Sequence, residues 1–146
     1  MASHKLFSAE QGAALVQEIT RAELQTSGEI RVHTEPHCNA AEPMLRALEV
    51  FHKLGMNNTV RKNGVLIYIA YNDKKFAIIG DEGINAVVPA NFWDGTRQVM
   101  QGHFQKHEFF EGVAFAIRET GELLKQYFPL GADDKNELPN EISEGE

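Results

Sequence analysis

The chain has little sulfur and no long apolar run. A single cysteine, Cys38, among 146 residues excludes an internal disulfide framework and a cysteine-rich zinc site. No stretch reaches the roughly 18 apolar residues of a membrane span. The N-terminus, Met1-Ala-Ser-His-Lys-Leu-Phe7, lacks the apolar run of a leader, so the expected compartment is the cytoplasm and no membrane insertion is expected. Positive charge is also scarce: 14 Lys and Arg stand against 21 Asp and Glu, for a net charge of −7. Without a basic stripe, nucleic acid and anionic membrane are not expected partners. Neither GxGxxG nor GxxxxGK[ST] occurs, so no phosphate cradle of the usual kinds is present. GxSxG and HExxH are missing, and no CxxxxxR follows Cys38.

What is present reads as one globular domain. A hydrophobic fraction of 42% and a charged fraction of 24% are ordinary for a folded chain of this length. The charge is uneven. From Gly131 onward the chain carries −5 of its −7, which leaves a mildly acidic body. Residues 1–129 are expected to fold, and 130–146 to form an acidic tail without structure, since it has no hydrophobic period.

Ser8-Ala-Glu-Gln11 has the form of a capping box, and Leu15, Val16, Ile19 and Ala22 follow at helical spacing. A first helix is expected over 9–25. Residues 29–34 alternate, with Ile30, Val32 and Thr34 on one face and Glu29, Arg31 and His33 on a second, partly exposed face. Pro43 opens a second helix whose apolar stripe reads Met44, Leu48 and Phe51, with Gly55 as its stop. Val65 to Tyr71 is apolar on both faces and therefore central in the sheet. Asn72-Asp73 favours a turn, so Phe76 to Ile79 returns antiparallel. The run 86–88 offers an edge strand. Two more helices are expected, at 91–107 and from about Gly112, the latter with the stripe Val113, Ile117, Thr120, Leu124 and Phe128. The order implies an α/β fold: an αβα sandwich around a small mixed sheet of three to four strands, flanked by about four helices.

If the second helix crosses between parallel strands, the start of the first strand (Glu29), the start of the second (Asn63) and the end of the third (Asp81) share one end of the sheet. Loops 55–63 and 81–94 would meet there. Glu29, Asp81, Glu82 and Asp94 supply carboxylates at that corner; Thr59 and Asn63 add neutral oxygens. Oxygen-only ligands favour calcium or magnesium over copper or zinc. The plainer reading makes Asp81 a turn former and Asp94 a solvated acid at a helix start. Two smaller constellations also stand out. His103 and His107 lie four apart on an expected helix, a spacing a transition metal can use, though packing explains it as well. His33, His37 and Cys38 cluster after the first strand, where a Cys–His nucleophile pair is conceivable but has no motif around it.

Ser27-Gly-Glu-Ile-Arg-Val32, Arg61-Lys-Asn-Gly-Val-Leu-Ile67, Phe76-Ala-Ile-Ile-Gly-Asp-Glu-Gly-Ile84, Phe110-Glu-Gly-Val113 and Tyr127-Phe-Pro129 together resemble the TPM domain over roughly residues 8–129. The resemblance implies an αβα sandwich and divalent-cation binding, calcium above all, at loops closing one end of the sheet. It also implies acid phosphatase activity in one branch, whose nucleophile has no counterpart here. Carried over residue by residue, it places the cation at Asp81 and Asp94, with Glu29 and Glu82 as weaker members. The expected function is then a cation-ordered regulatory or interaction module with an unidentified protein partner. The alternative is a metal-assisted phosphomonoester hydrolase.

Overall fold

A computed structural model describes residues 6–130 and 139–145. The sheet has the order β3-β2-β1-β4. β1 (Glu29–Glu35) and β2 (Gly64–Ala70) are parallel and joined through α2 (Pro43–Lys53), and β3 (Lys75–Gly80) returns antiparallel to β2. The expected mixed sheet is therefore present. One face is covered by α1 (Ala9–Glu23) and α5 (Phe109–Leu124), with α4 (Asp94–Gln105) packed on α5. The other face is covered by α2.

The α1 capping box forms as its sequence predicts. Gln11 N–H donates to Ser8 Oγ at 3.1 Å, and Ser8 N–H to Gln11 Oε1 at 3.2 Å. β2 is buried along its whole length, in keeping with its two apolar faces. Val65, Ile67 and Ile69 enter the core under α1 and α5, while Leu66, Tyr68 and Ala70 enter the core under α2.

Several expectations are corrected. α2 buries Ala47, Val50 and Phe51, not the stripe Met44, Leu48 and Phe51; Met44 and Leu48 are exposed. Both stripes have helical spacing, and the one with the small Ala47 lies against β2 and β3, where the helix must approach closely. Residues 86–88 form no strand. The chain leaves β3 into a short helix, α3 (Glu82–Asn85), and the amides of Val87 and Val88 donate back to the Ile84 carbonyl. The fourth strand is instead β4 (Ser143–Glu144), parallel to β1. It lies in the segment expected to lack structure; the rest of that expectation falls on 131–138 and 146, outside the described residues. α4 ends at Gln105, and His107 adopts φ 61°. His103 and His107 therefore do not share a helix face.

The second face of β1 is more buried than expected: Glu29, His33 and Glu35 are buried, and Arg31 is half-buried. Glu35 is 2% exposed and sits at the centre of a polar network. Arg46 of α2 donates to it through Nε (2.8 Å) and Nη2 (2.9 Å), the Tyr68 hydroxyl donates at 2.5 Å, and His33 Nε2 lies 3.1 Å away. Burial alone would raise the Glu35 pKa, but these hydrogen bonds and the guanidinium charge outweigh it and hold the carboxyl at about 2. The ion pair thus ties α2 to the sheet.

Glu23 behaves in the opposite way. Burial and the nearby Glu29 charge raise its pKa to about 7, although it accepts the Ile30 amide at 2.9 Å. The two signs differ. A carboxyl held low stabilises the fold above its unfolded pKa, and that stability is lost as pH falls from about 4.5 toward 2. A carboxyl held high costs stability as pH rises from about 4.5 to 7. We therefore expect Glu23→Gln, which keeps an acceptor for Ile30, to gain stability over wild type by about 1–3 kcal/mol between pH 4.5 and 8. Urea unfolding of both proteins at each pH checks this. A difference that stays flat with pH would show that Glu23 does not titrate there.

Candidate functional site

The convergence expected from topology is present. Glu29 pairs with Gly64, the Asp81 amide donates to the Gly64 carbonyl at 2.9 Å, and the Glu29 amide donates to the Asn63 carbonyl at 3.2 Å. Residues from three strands thus meet at one end of the sheet. The two loops meet as well: the Gly83 amide donates to the Lys62 carbonyl at 2.8 Å. A Cβ on Gly83 would lie 2.4 Å from the Arg61 carbonyl oxygen and 2.6 Å from that of Lys62. No side chain fits there, so α3 can lie on residues 61–62 only because position 83 is glycine. Gly80 is tight for a related reason, with Ile84 at 3.0 Å from its would-be Cβ.

Asp81 caps α3. Its Oδ1 accepts the Glu82 amide at 2.7 Å. Its Oδ2 is buried with no hydrogen-bond partner among the described residues, in a side chain only 7% exposed overall. Thr59 Oγ1, in the facing loop 55–63, is likewise buried and unpartnered. Buried acceptors are nearly always paired, so an orphan carboxylate oxygen calls for a partner not supplied by the described residues. Asp81 also lines a cavity of about 230 Å3. Phe51 and Leu48 form its apolar side; His52, Lys62, Glu82 and Asn85 supply polar groups.

The remaining expected ligands are placed differently. Asn63 is buried, and its amide nitrogen donates to the Ser27 carbonyl (3.1 Å) and hydroxyl (3.3 Å), which fixes the turn between α1 and β1. Glu29 is buried at the same end of the sheet, close enough to Glu23 to raise its pKa. It stands two strands from Asp81, or about 9–10 Å across the sheet. Glu82 is exposed. Asp94 is exposed in the first turn of α4 and pairs with Arg97 at 3.2 Å. Among the described residues no three His, Cys, Asp or Glu side chains form a group able to hold a metal. Among the carboxylates of the described residues, Asp81 alone combines burial with an unpartnered oxygen; any cation there would also draw on neutral oxygens.

The cysteine and histidine constellations take other partners. The Cys38 thiol lies 3.7 Å from the Ala40 carbonyl, and the Cys38 amide donates to Asp73. His37 Nδ1 bonds Asp73 at 2.9 Å, and His33 bonds Glu35 and Ser143. Among the described residues no hydrogen bond joins Cys38 to a histidine, so no Cys–His pair forms there. His103 Nδ1 bonds Glu108 at 2.8 Å. Sequence reasoning missed the pocket residues His52 and Lys62, which carry no periodic signal. It also missed the Glu35 network, although four polar side chains on one face of β1 were a sign that partners must exist.

The model of the TPM domain matches residues 1–123. The BA42 protein from the psychrophilic bacterium Bizionia argentinensis, known by NMR, is 46% identical, with 99% of each chain covered and a TM-score of 0.91. The N-terminal domain of a P. gingivalis protein is 19% identical (TM-score 0.68; 84% of this chain, 79% of that one). The N-terminal domain of the cg2496 protein from Corynebacterium glutamicum is 12% identical (TM-score 0.62; 87% and 78%). The last two show the fold alone. No curated protein matches. With its sandwich, its converging loops and a family match over most of its length, the chain belongs to the TPM domain family.

Proposed function

We propose that the chain is a divalent-cation-binding domain, calcium or magnesium, in which the ion orders loops 55–63 and 81–94 and so presents or withdraws a surface to a protein partner. The observation that carries this reading is the buried, unpartnered Asp81 Oδ2, held by a capped helix start at the meeting point of the two loops. Thr59 Oγ1 faces the same shortage of partners, and Glu82 adds charge at the rim. A hard cation bound by one buried carboxylate and several neutral oxygens matches calcium, which accepts irregular oxygen shells, better than a metal that needs nitrogen or sulfur. Asn63 and Glu29 support the site through the backbone at positions 63 and 64. Asp94, exposed and paired with Arg97 through Oδ1, has its second oxygen left for the ion.

Calcium titration followed by amide NMR should shift Gly80–Asn85 and residues 57–63 together. Asp81→Asn should weaken binding at least tenfold while the core spectrum is kept. Unshifted amides in the wild-type protein would sink the proposal. Gly83→Ala provides an orthogonal check. It forces the two loops apart and is expected to cost about 2–4 kcal/mol of stability by the steric route, and to weaken calcium binding without removing any ligand.

The cavity beside Asp81 favours a second reading, hydrolysis of a phosphate monoester. His52 and Lys62 line it together with Asp81, so an imidazole, an ammonium group and the cation's carboxylate border one space. A bound cation supplies charge stabilisation and an activated water in such chemistry; this chain's own residues would orient the anion. Turnover of a generic phosphate ester should then fall at least tenfold in both Asp81→Asn and Lys62→Ala. Turnover that neither change alters belongs to a contaminant.

A further inference from the structure

The outer edge of β1 is closed by the last described residues of the chain. Glu29 and Glu35 turn their backbone groups toward β2, so by alternation Ile30, Val32 and Thr34 turn theirs outward. The Ile30 amide is accepted by the Glu23 side chain, which stands in for a neighbouring strand. Further along, β4 takes over. The Gly145 amide donates to the Thr34 carbonyl at 2.7 Å, and Ser143 and Glu144 stand in register with His33 and Thr34.

Consecutive side chains of this segment each meet a specific feature. Asn140 Nδ2 lies 3.2 Å from Thr20 Oγ1, and the Asn140 side chain also bonds Glu23. Glu141 is close enough to support the charge of Arg31. Ile142 packs on the main core. Ser143 Oγ lies 2.9 Å from His33 Nδ1. The His33 ring is kept neutral by burial, and ionised Glu35 draws its proton to Nε2, which leaves Nδ1 to accept from the Ser143 hydroxyl. Beside Ile142 the structure leaves an open groove of about 710 Å3 against Phe7, Ala9, Gly12 and Val16 of the α1 end. A readout of alternate side chains combined with backbone pairing at a sheet edge is how strand addition recognises peptides. Yet β4 is only two residues long, so few backbone bonds hold it.

We propose that the outer edge of β1 is a strand-acceptor site for an extended segment of the type Asn140-Glu-Ile-Ser-Glu144, filled in the single chain by its own tail and open to the same segment from a second copy of this chain. The second copy is the occupant that fits, because its tail already carries the required order: a carboxylate for Arg31, an apolar residue for the core and a hydroxyl donor for His33. An unpaired edge left by a released tail is a template for such pairing. The site lies along the outer edge of β1, two strands across the sheet from the end of β3 at Asp81, and does not depend on the cation.

The test uses the full chain carrying Ile142→Asp, which expels its own tail, titrated with a synthetic Pro139–Gly145 peptide. The variant should bind the peptide at least tenfold more tightly than wild type, with shifts at Thr34 and the His33 ring. A peptide with Ser143→Ala should bind about fivefold more weakly, the worth of one hydrogen bond. Equal binding by variant and wild type, or none by a folded variant, overturns the acceptor site. Should Ile142→Asp fail to fold, hydrogen exchange in the wild type decides: the Gly145 amide must exchange at least 100-fold faster than the amides of β2, and equal rates overturn the proposal. For the second copy, sedimentation of wild type must show a dimer that grows with concentration and is absent in a folded Ile142→Asp. A chain that stays monomeric at millimolar concentration removes that part.

Discussion

Everything at the candidate site depends on β2 being hydrogen-bonded on both sides and buried on both faces. Its first residue, Gly64, pairs with Glu29 of β1, and its carbonyl receives the Asp81 amide beyond β3. Three chain segments far apart in sequence are therefore pinned to one row. Burying an Ile or Leu side chain contributes roughly 1.5–3 kcal/mol, and β2 buries Val65, Leu66, Ile67 and Ile69 in succession. That same richness leaves register undetermined by β2 itself, since a slip of one residue exchanges one apolar face for another. The neighbours set it. β1 offers its apolar residues to one face only, and β3 ends in the tight Gly80-to-Gly83 passage that fits over residues 61–62 at one position.

The two faces of the sheet do unequal jobs. The face under α1, α4 and α5 holds the larger core. The face under α2 holds a smaller one, and beyond the reach of α2 the sheet presents β1 with its polar row. Glu35 resolves the conflict. A buried carboxylate would destabilise the fold if left alone, but two donors from Arg46, one from Tyr68 and the His33 ring satisfy it. The same residues that complete the smaller core thus fix the orientation of His33, whose other nitrogen then faces the tail.

Much of this was readable in the residues. The capping box at Ser8, the doubly apolar β2, the turn at Asn72-Asp73 and the meeting of the 55–63 and 81–94 loops follow from period, turn chemistry and topology. What was not readable has physical causes. Ala47-Val50-Phe51 and Met44-Leu48-Phe51 are equally periodic, and only the close approach of α2 to the sheet distinguishes them. Val87 and Val88 have strand composition, but the amides of both are already committed to Ile84. β4 has two residues, too few for any period, and its partner is more than 100 residues away. At the site, Asp94 is exposed in the first turn of α4, where Arg97 stands within reach three residues on.

The polar row on β1 links these outcomes. Glu29, Arg31, His33 and Glu35 lie on one face of one strand, and each needs something outside the strand. Glu35 finds α2 and β2, whereas Arg31 and His33 find the tail at Glu141 and Ser143. Glu29 lies at the end where the loops converge, and it raises Glu23, whose carboxylate caps the edge where β4 has not yet begun. A purely apolar second face would have offered no partner to Arg46 or to the Ser143 hydroxyl. The outer edge of the same strand is completed by small pieces: a carboxylate at Ile30 and two residues of tail at Thr34. The apolar core face and the polar face that meets α2 and the tail are thus consequences of one alternating pattern in seven residues.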